Sequence, residues 1–160
     1  GRIPVEKRLK IFVAELETQR KEIFKLHSTI QEKSKKMRSH IDNEDLTNSL
    51  AYKLHNLYSA YEDLFKLIAR FFENQIADIS GYHSELLNRM KLQIEGVRSE
   101  LLADESFMLL DEIRGFRYVF RHAYSYKLDA ERVTKLSEKT ESLIAHFKKD
   151  FEKFKEKIMS

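Results

Sequence analysis

Between Glu112 and Asp129 the chain carries no acidic residue, yet Arg114, Arg117, Arg121, His122 and Lys127 stand there, interleaved with Tyr118, Tyr124 and Tyr126. Arginine stays charged and grips phosphate oxygens through paired N–H groups, whereas histidine, with an ordinary pKa of about 6.5, exchanges protons near neutrality. Together they suit metal-free cleavage of RNA. A base takes the proton of a 2′-hydroxyl, and a cation stabilises the charged phosphorane. The tyrosine rings offer faces on which unpaired bases stack. The competing reading is structural: a basic row on a helix is usually a solvated face, and a histidine beside it an ordinary surface residue.

At about 100° per residue, Leu109, Ile113, Phe116, Phe120 and Ala123 fall on one face of a helix and Arg114, Arg117 and Arg121 on another. Tyr124 comes seven residues after Arg117 and returns to within roughly 20° of it around the axis. Arg117 and His122 are offset by about 140° and about 7.5 Å along the axis, so they flank a surface between elements and do not stack on one line. Gly115, inside the same helix, costs about 1 kcal/mol relative to Ala and implies a reason such as the close approach of another backbone.

The elements that must position this window are helical. Pro4 opens an apolar series, Val5, Leu9, Phe12, Leu16, Ile23, Leu26, Ile30 and Met37, which predicts one long amphipathic helix. The polar stretch from His40 to Ser49, with Asp42, Asn43, Asp45, Thr47 and Asn48, predicts a loop. A second helix follows on Leu50, Leu54, Leu57, Tyr61, Leu64, Ile68 and Phe71. Ser80-Gly81 breaks it before a shorter helix carrying Leu86, Leu87, Met90 and Ile94, and Gly96 and Ser99 mark the next loop. The fourth helix is predicted from about Asp104 to Lys127. After Asp129 as its N-cap, a fifth carries Val133, Leu136, Leu143, Phe147, Phe151, Phe154 and Ile158. The expected fold is all-α, an elongated up-and-down bundle of about five helices forming a single domain over residues 1–160. Near-heptad spacing on three of the helices leaves apolar surface that a dimer would cover, so a homo-oligomer is expected.

Composition agrees with a helical, well-packed chain: 160 residues with 34% charged, 42% hydrophobic, four Gly and one Pro. The absence of Cys removes disulfides, thiolate nucleophiles and Cys-based metal centres, and points to a reducing compartment. No stretch reaches the roughly 18 apolar residues of a membrane span, and Arg2-Ile3-Pro4-Val5-Glu6 lacks a signal-peptide core, so a soluble cytoplasmic protein is expected. The net charge of +3 is too small by itself to declare a nucleic-acid binder. His27, His40, His55, His83 and His146 include no pair at zinc-ligand helical spacing, so neither a metal site nor a cofactor is expected. There is no glycine-rich phosphate loop and no nucleophile elbow. The basic runs Lys33, Lys35, Lys36, Arg38 and Lys148, Lys149, Lys153, Lys155, Lys157 read as solvated helix faces, and Phe147, Phe151 and Phe154 as core.

Arg117-Tyr118-Val119-Phe120-Arg121-His122-Ala123-Tyr124 reads R-x4-H-x-Y, which resembles the HepT-like branch of the HEPN superfamily. Tyr61-Glu62-Asp63-Leu64 and His83-Ser84-Glu85-Leu86-Leu87-Asn88-Arg89-Met90 also look like that branch, and the likeness covers roughly residues 45 to 130. The resemblance implies a small all-α homodimer acting as a toxin ribonuclease of a type VII-like toxin–antitoxin pair. Its substrate would be RNA, with tRNA and mRNA as candidate targets, cut without metal at a composite site in the dimer cleft. Carried over, Arg117 is the phosphate-binding catalytic arginine and His122 the catalytic histidine, with Arg114 and Arg121 as further phosphate contacts. Tyr124 is the implied switch: a minimal nucleotidyltransferase antitoxin of the MntA-like kind transfers AMP from ATP to it and silences the nuclease. Tyr118 stands where many HEPN ribonucleases carry a polar residue, commonly Asn; its phenol can support the site by hydrogen bonding, with a different geometry. The alternative is a non-catalytic nucleotide- or partner-binding module that works with a nucleotidyltransferase.

Overall fold

A computed structural model describes residues 3–40, 42–74, 82–121 and 128–160. Five helices follow one another: α1 (Val5–Ser39), α2 (Glu44–Glu73), α3 (Tyr82–Arg89), α4 (Asp104–Arg121) and α5 (Ala130–Met159). Among the described residues the only β feature is an isolated bridge between Ile94 and Arg98. The all-α bundle expected from periodicity is what forms, and α2 lies at its centre, touching each of the other four helices.

The reason α2 takes that place is visible in its sequence. Leu50, Leu54, Leu57, Tyr61, Leu64 and Ile68 make one buried stripe, while Ala51, Tyr58, Ala60, Phe65 and Ala69 extend burial around the axis. A helix apolar over so much of its girth must be enclosed. Against it α1 buries Phe12, Leu16, Ile23, Ile30 and Met37, and α5 buries Val133, Leu136, Leu143, Phe147, Phe151 and Phe154. Phe147 sits edge-on to Tyr61 with ring centroids 4.9 Å apart, and Phe12 stacks on Phe71 at 4.1 Å. Such aromatic pairs add to simple area burial. At the margins, Val5 and Phe71 stay exposed although both belong to predicted apolar series.

Helix ends follow local chemistry. The side-chain oxygen of Asn43 accepts from the Leu46 amide at 3.0 Å and starts α2, so the loop predicted from His40 to Ser49 is in fact shorter. Thr47, predicted in that loop, is instead a buried helical residue whose hydroxyl donates to the Asn43 carbonyl at 3.2 Å. Asp129 caps α5 as expected, accepting from the amides of Glu131 at 3.0 Å and Arg132 at 3.3 Å. The predicted third helix is corrected at its far end. Leu86, Leu87 and Met90 are buried, but α3 stops at Arg89 and Ile94 lies in the bridge to Arg98, around a turn whose Gly96 has φ +77°.

That turn is tied down by one buried arginine. Arg98 donates to the carbonyls of Arg89 (2.9 Å), Leu92 (2.9 Å) and Ser99 (3.1 Å) and to the Glu73 carboxylate (3.2 Å). Glu73 also pairs with Arg89. A buried guanidinium with every edge supplied by acceptors is tolerated where an unpaired one is not. The segment after α3 is thereby fixed to the end of α2, and it leads directly into α4.

Candidate functional site

The predicted basic stripe on α4 divides. Arg114 turns to its own helix, its Nε donating to Asp111 at 2.9 Å, and Arg121 is exposed. Arg117 points inward. Its Nη1 donates to Glu62 Oε1 at 2.6 Å, and its side chain is only 16% exposed. On α2, His55, Tyr58 and Glu62 recur at a spacing that lines one helical face, and this face meets α4. Phe120 lies 5.4 Å from the His55 ring and 6.3 Å from Tyr52, so an aromatic margin adjoins the charged pair.

Glu62 holds two partners. Its Oε1 takes Arg117, and its Oε2 accepts from His83 Nδ1 at 2.5 Å. The carboxylate is 4% exposed, and a buried carboxylate needs this degree of compensation. The short contact sets the tautomer of His83, with the proton on Nδ1 directed at Glu62. Arg117 Nη1 lies a further 3.3 Å from that nitrogen, which is a close approach of two donors and not a second bond. Three helices thus converge on one carboxylate: α4 brings Arg117, α3 brings His83, and α2 brings Glu62.

The arrangement leaves donors over. Arg117 Nε is buried and has no partner among the described residues, and the same holds for the Tyr58 hydroxyl and His55 Nδ1. Nη1 is committed to Glu62 and Nε is enclosed, so the guanidinium meets solvent only through the remainder of a side chain that is 16% exposed. Burial, followed by the nearby Glu62 carboxylate, pushes the Tyr58 phenol well above its ordinary range, so Tyr58 remains a neutral donor. Burial, helped by the cations of Arg117 and Arg121, lowers His55 from its ordinary value and keeps its imidazole neutral.

Of the residues singled out from the sequence, the structure places Arg117 in a built site and leaves Arg114 beside Asp111 and Arg121 on the surface. Tyr118 is exposed. His122, Tyr124, Tyr126 and Lys127 lie outside the described residues, as does the predicted break at Ser80-Gly81. Within the described residues of this chain, no other backbone approaches Gly115. A Cβ there would meet nothing within 4 Å, because Gly115 borders an open cleft of about 570 Å³ between α4 and α5. That cleft is lined by charged side chains of both signs, Glu112, Arg132, Lys135 and Lys139 among them, and not by the Glu62 cluster. Among the described residues no group of three or more His, Asp or Glu side chains is placed to hold a metal ion.

A family model described as HepT-like protein matches residues 49–158. The chain belongs to the HepT-like family. The matched span takes in α3, α4, nearly all of α5 and most of α2, and with them Glu62, His83 and the R-x4-H-x-Y motif, while α1 lies upstream of it. No curated protein and no solved structure matches the chain. Glu62 and His83 were not given roles by reasoning from the basic window, although both sit in segments that look HepT-like. The available signal was an acid on the buried side of α2, four residues after Tyr58 and one after Tyr61.

Proposed function

We propose that this HepT-like chain is a metal-independent endoribonuclease, the toxin of a toxin–antitoxin pair, working as a homodimer with Arg117 and His122 at a composite site. The observation that carries the reading is Arg117: a motif arginine fixed by a buried carboxylate, with part of its side chain still open to solvent. Its guanidinium binds a phosphate oxygen of RNA and stabilises the phosphorane as negative charge develops. His122 takes the 2′-hydroxyl proton, the 2′-oxygen attacks phosphorus, and the P–O5′ bond breaks to give a 2′,3′-cyclic phosphate and a 5′-hydroxyl. Arg114 and Arg121 add positive potential along the RNA path, Tyr118 supports the site, and RNA is recognised as single-stranded segments.

Control falls on Tyr124. A cognate MntA-like nucleotidyltransferase supplies ATP; the Tyr124 oxygen attacks the α-phosphorus, pyrophosphate leaves, and the phenolic proton is lost to solvent. The AMP group sets a phosphate beside Arg117 and Arg121 and occupies the place of the RNA phosphate. Among the described residues no helix is long and apolar enough to cross a membrane.

The test is intact mass with and without the nucleotidyltransferase and ATP, followed by RNA cleavage in EDTA. The expected result is an added AMP that disappears in Tyr124→Phe, and cleavage by the unmodified protein alone. His122→Ala is expected to lower cleavage by about 10²–10⁴-fold. Wild-type protein that binds the nucleotidyltransferase but cuts no RNA would make it a binding module instead.

A further inference from the structure

Cleavage by transesterification moves two protons, one off the attacking 2′-oxygen and one onto the departing 5′-oxygen. These oxygens lie on opposite sides of phosphorus in an in-line displacement, so one histidine cannot serve both. The function proposed above assigns His122 to the first.

We propose that His83 is the second proton-transfer group of this site, a catalytic acid that protonates the 5′-oxygen as it leaves. The inference rests on the ribonuclease reading and deepens it. His83 is held as such a group must be. Its Nδ1–H donates to Glu62 at 2.5 Å, so the ring cannot rotate freely and Nε2 is the nitrogen left to exchange protons. Its side chain is 43% exposed and the polar contacts it makes to described residues use Nδ1, so a substrate oxygen can reach Nε2. The same Glu62 that orients it also fixes Arg117, whose Nη1 is 3.3 Å from the imidazole. One carboxylate therefore holds Arg117 and His83 next to each other.

α3 is anchored at its other end as well. Arg89 pairs with Glu73 of α2, and Leu86 and Leu87 are buried against the core. An acid carried on a helix fixed at two points meets the demand that catalytic groups be held by their surroundings.

In the step itself, the imidazolium of His83 gives its Nε2 proton to the 5′-oxygen while that oxygen takes the electron pair of the breaking P–O5′ bond. The 2′-oxygen forms the new bond to phosphorus, its proton having passed to His122. Afterwards neutral His83 is reprotonated by water and His122 returns its proton to water, so the cycle closes.

The experiment compares two oligoribonucleotides, one with an ordinary phosphodiester at the position the wild-type protein cuts and one with sulfur in place of the bridging 5′-oxygen. A thiolate leaves without being protonated, so the acid matters only for the first. In His83→Gln, cleavage of the oxygen substrate is expected to fall by about 10²–10⁴-fold, with the sulfur substrate staying within roughly tenfold of wild type. Equal losses on both substrates would reduce His83 to a positioning residue for Arg117 through Glu62, and no loss on either would remove it from the reaction; both outcomes overturn the proposal. The sulfur substrate also controls for folding, because a misfolded variant cuts neither. A wild-type protein that cuts neither substrate overturns the ribonuclease reading itself, and the acid assignment goes with it.

Discussion

Arg117 and His27 show two ways in which a side chain can be fixed by a neighbour far away in sequence. Arg117 depends on Glu62, and Glu62→Ala would strand a cation that is largely buried. The expected loss is about 3 kcal/mol of stability, measured by urea unfolding, a magnitude typical of breaking a buried pair from one side. His27 is enclosed in the core, its Nε2 2.7 Å from the Tyr61 hydroxyl, and burial, aided by the Lys148 cation, brings it down to about 3 from its ordinary value. The unfolded chain takes a proton on this histidine below about pH 6.5, while the folded chain does not until about pH 3. Stability contributed by neutral His27 is thus complete above about pH 6.5 and declines as pH falls toward 3, by at most about 1.4 kcal/mol per pH unit. Urea titrations between pH 7 and pH 4.5 should show this slope, and His27→Gln should flatten it. At this scale the sequence displayed Arg117, because an acid-free window is a local property. It did not display Glu62, which stands 55 residues away and looks, in isolation, like one more acid on an amphipathic helix.

At the scale of elements, the helices were legible because each announces itself through its own period and caps. Asn43 and Asp129 do what short polar side chains do at helix starts, and Asp129→Ala is expected to cost about 1 kcal/mol in a denaturation experiment. Gly115 is the counterexample. In the sequence it implied another backbone pressed against α4, but among the described residues the space beside it is open, so no contact within the chain requires the missing Cβ. Gly115→Ala should therefore stabilise the protein by roughly 0.5–1 kcal/mol, seen as a rise in the urea midpoint with an unchanged slope. Where α3 ends was illegible for a different reason. Met90 and Ile94 continue a helical period, but Arg98 gathers the carbonyls of Arg89 and Leu92, and this tertiary contact overrides the local pattern.

Over the whole molecule, the bundle rests on the apolar faces that α1 and α5 turn toward α2. Phe147 is fully buried among Tyr61, Phe151 and Phe24, and Phe147→Ala should cost about 3–5 kcal/mol in thermal or chemical unfolding. The packing of five helices followed from periodicity alone. Which polar groups meet at their seams did not, since that depends on the rotation of each helix against its neighbours. The meeting of Glu62 with Arg117 has a consequence for how the protein is made. Residue 62 leaves the ribosome 55 residues ahead of its partner, and His83 follows 21 residues after Glu62. During synthesis, Glu62 and His83 are present while Arg117 does not yet exist, and even a chain extended past α4 has no oriented guanidinium until α4 docks on α2. The Glu62–Arg117 pair is completed only by the finished fold, so incomplete chains and the fragments left by their degradation lack an oriented Arg117 and, under the function proposed above, are inert toward the nucleic acid that surrounds them at birth.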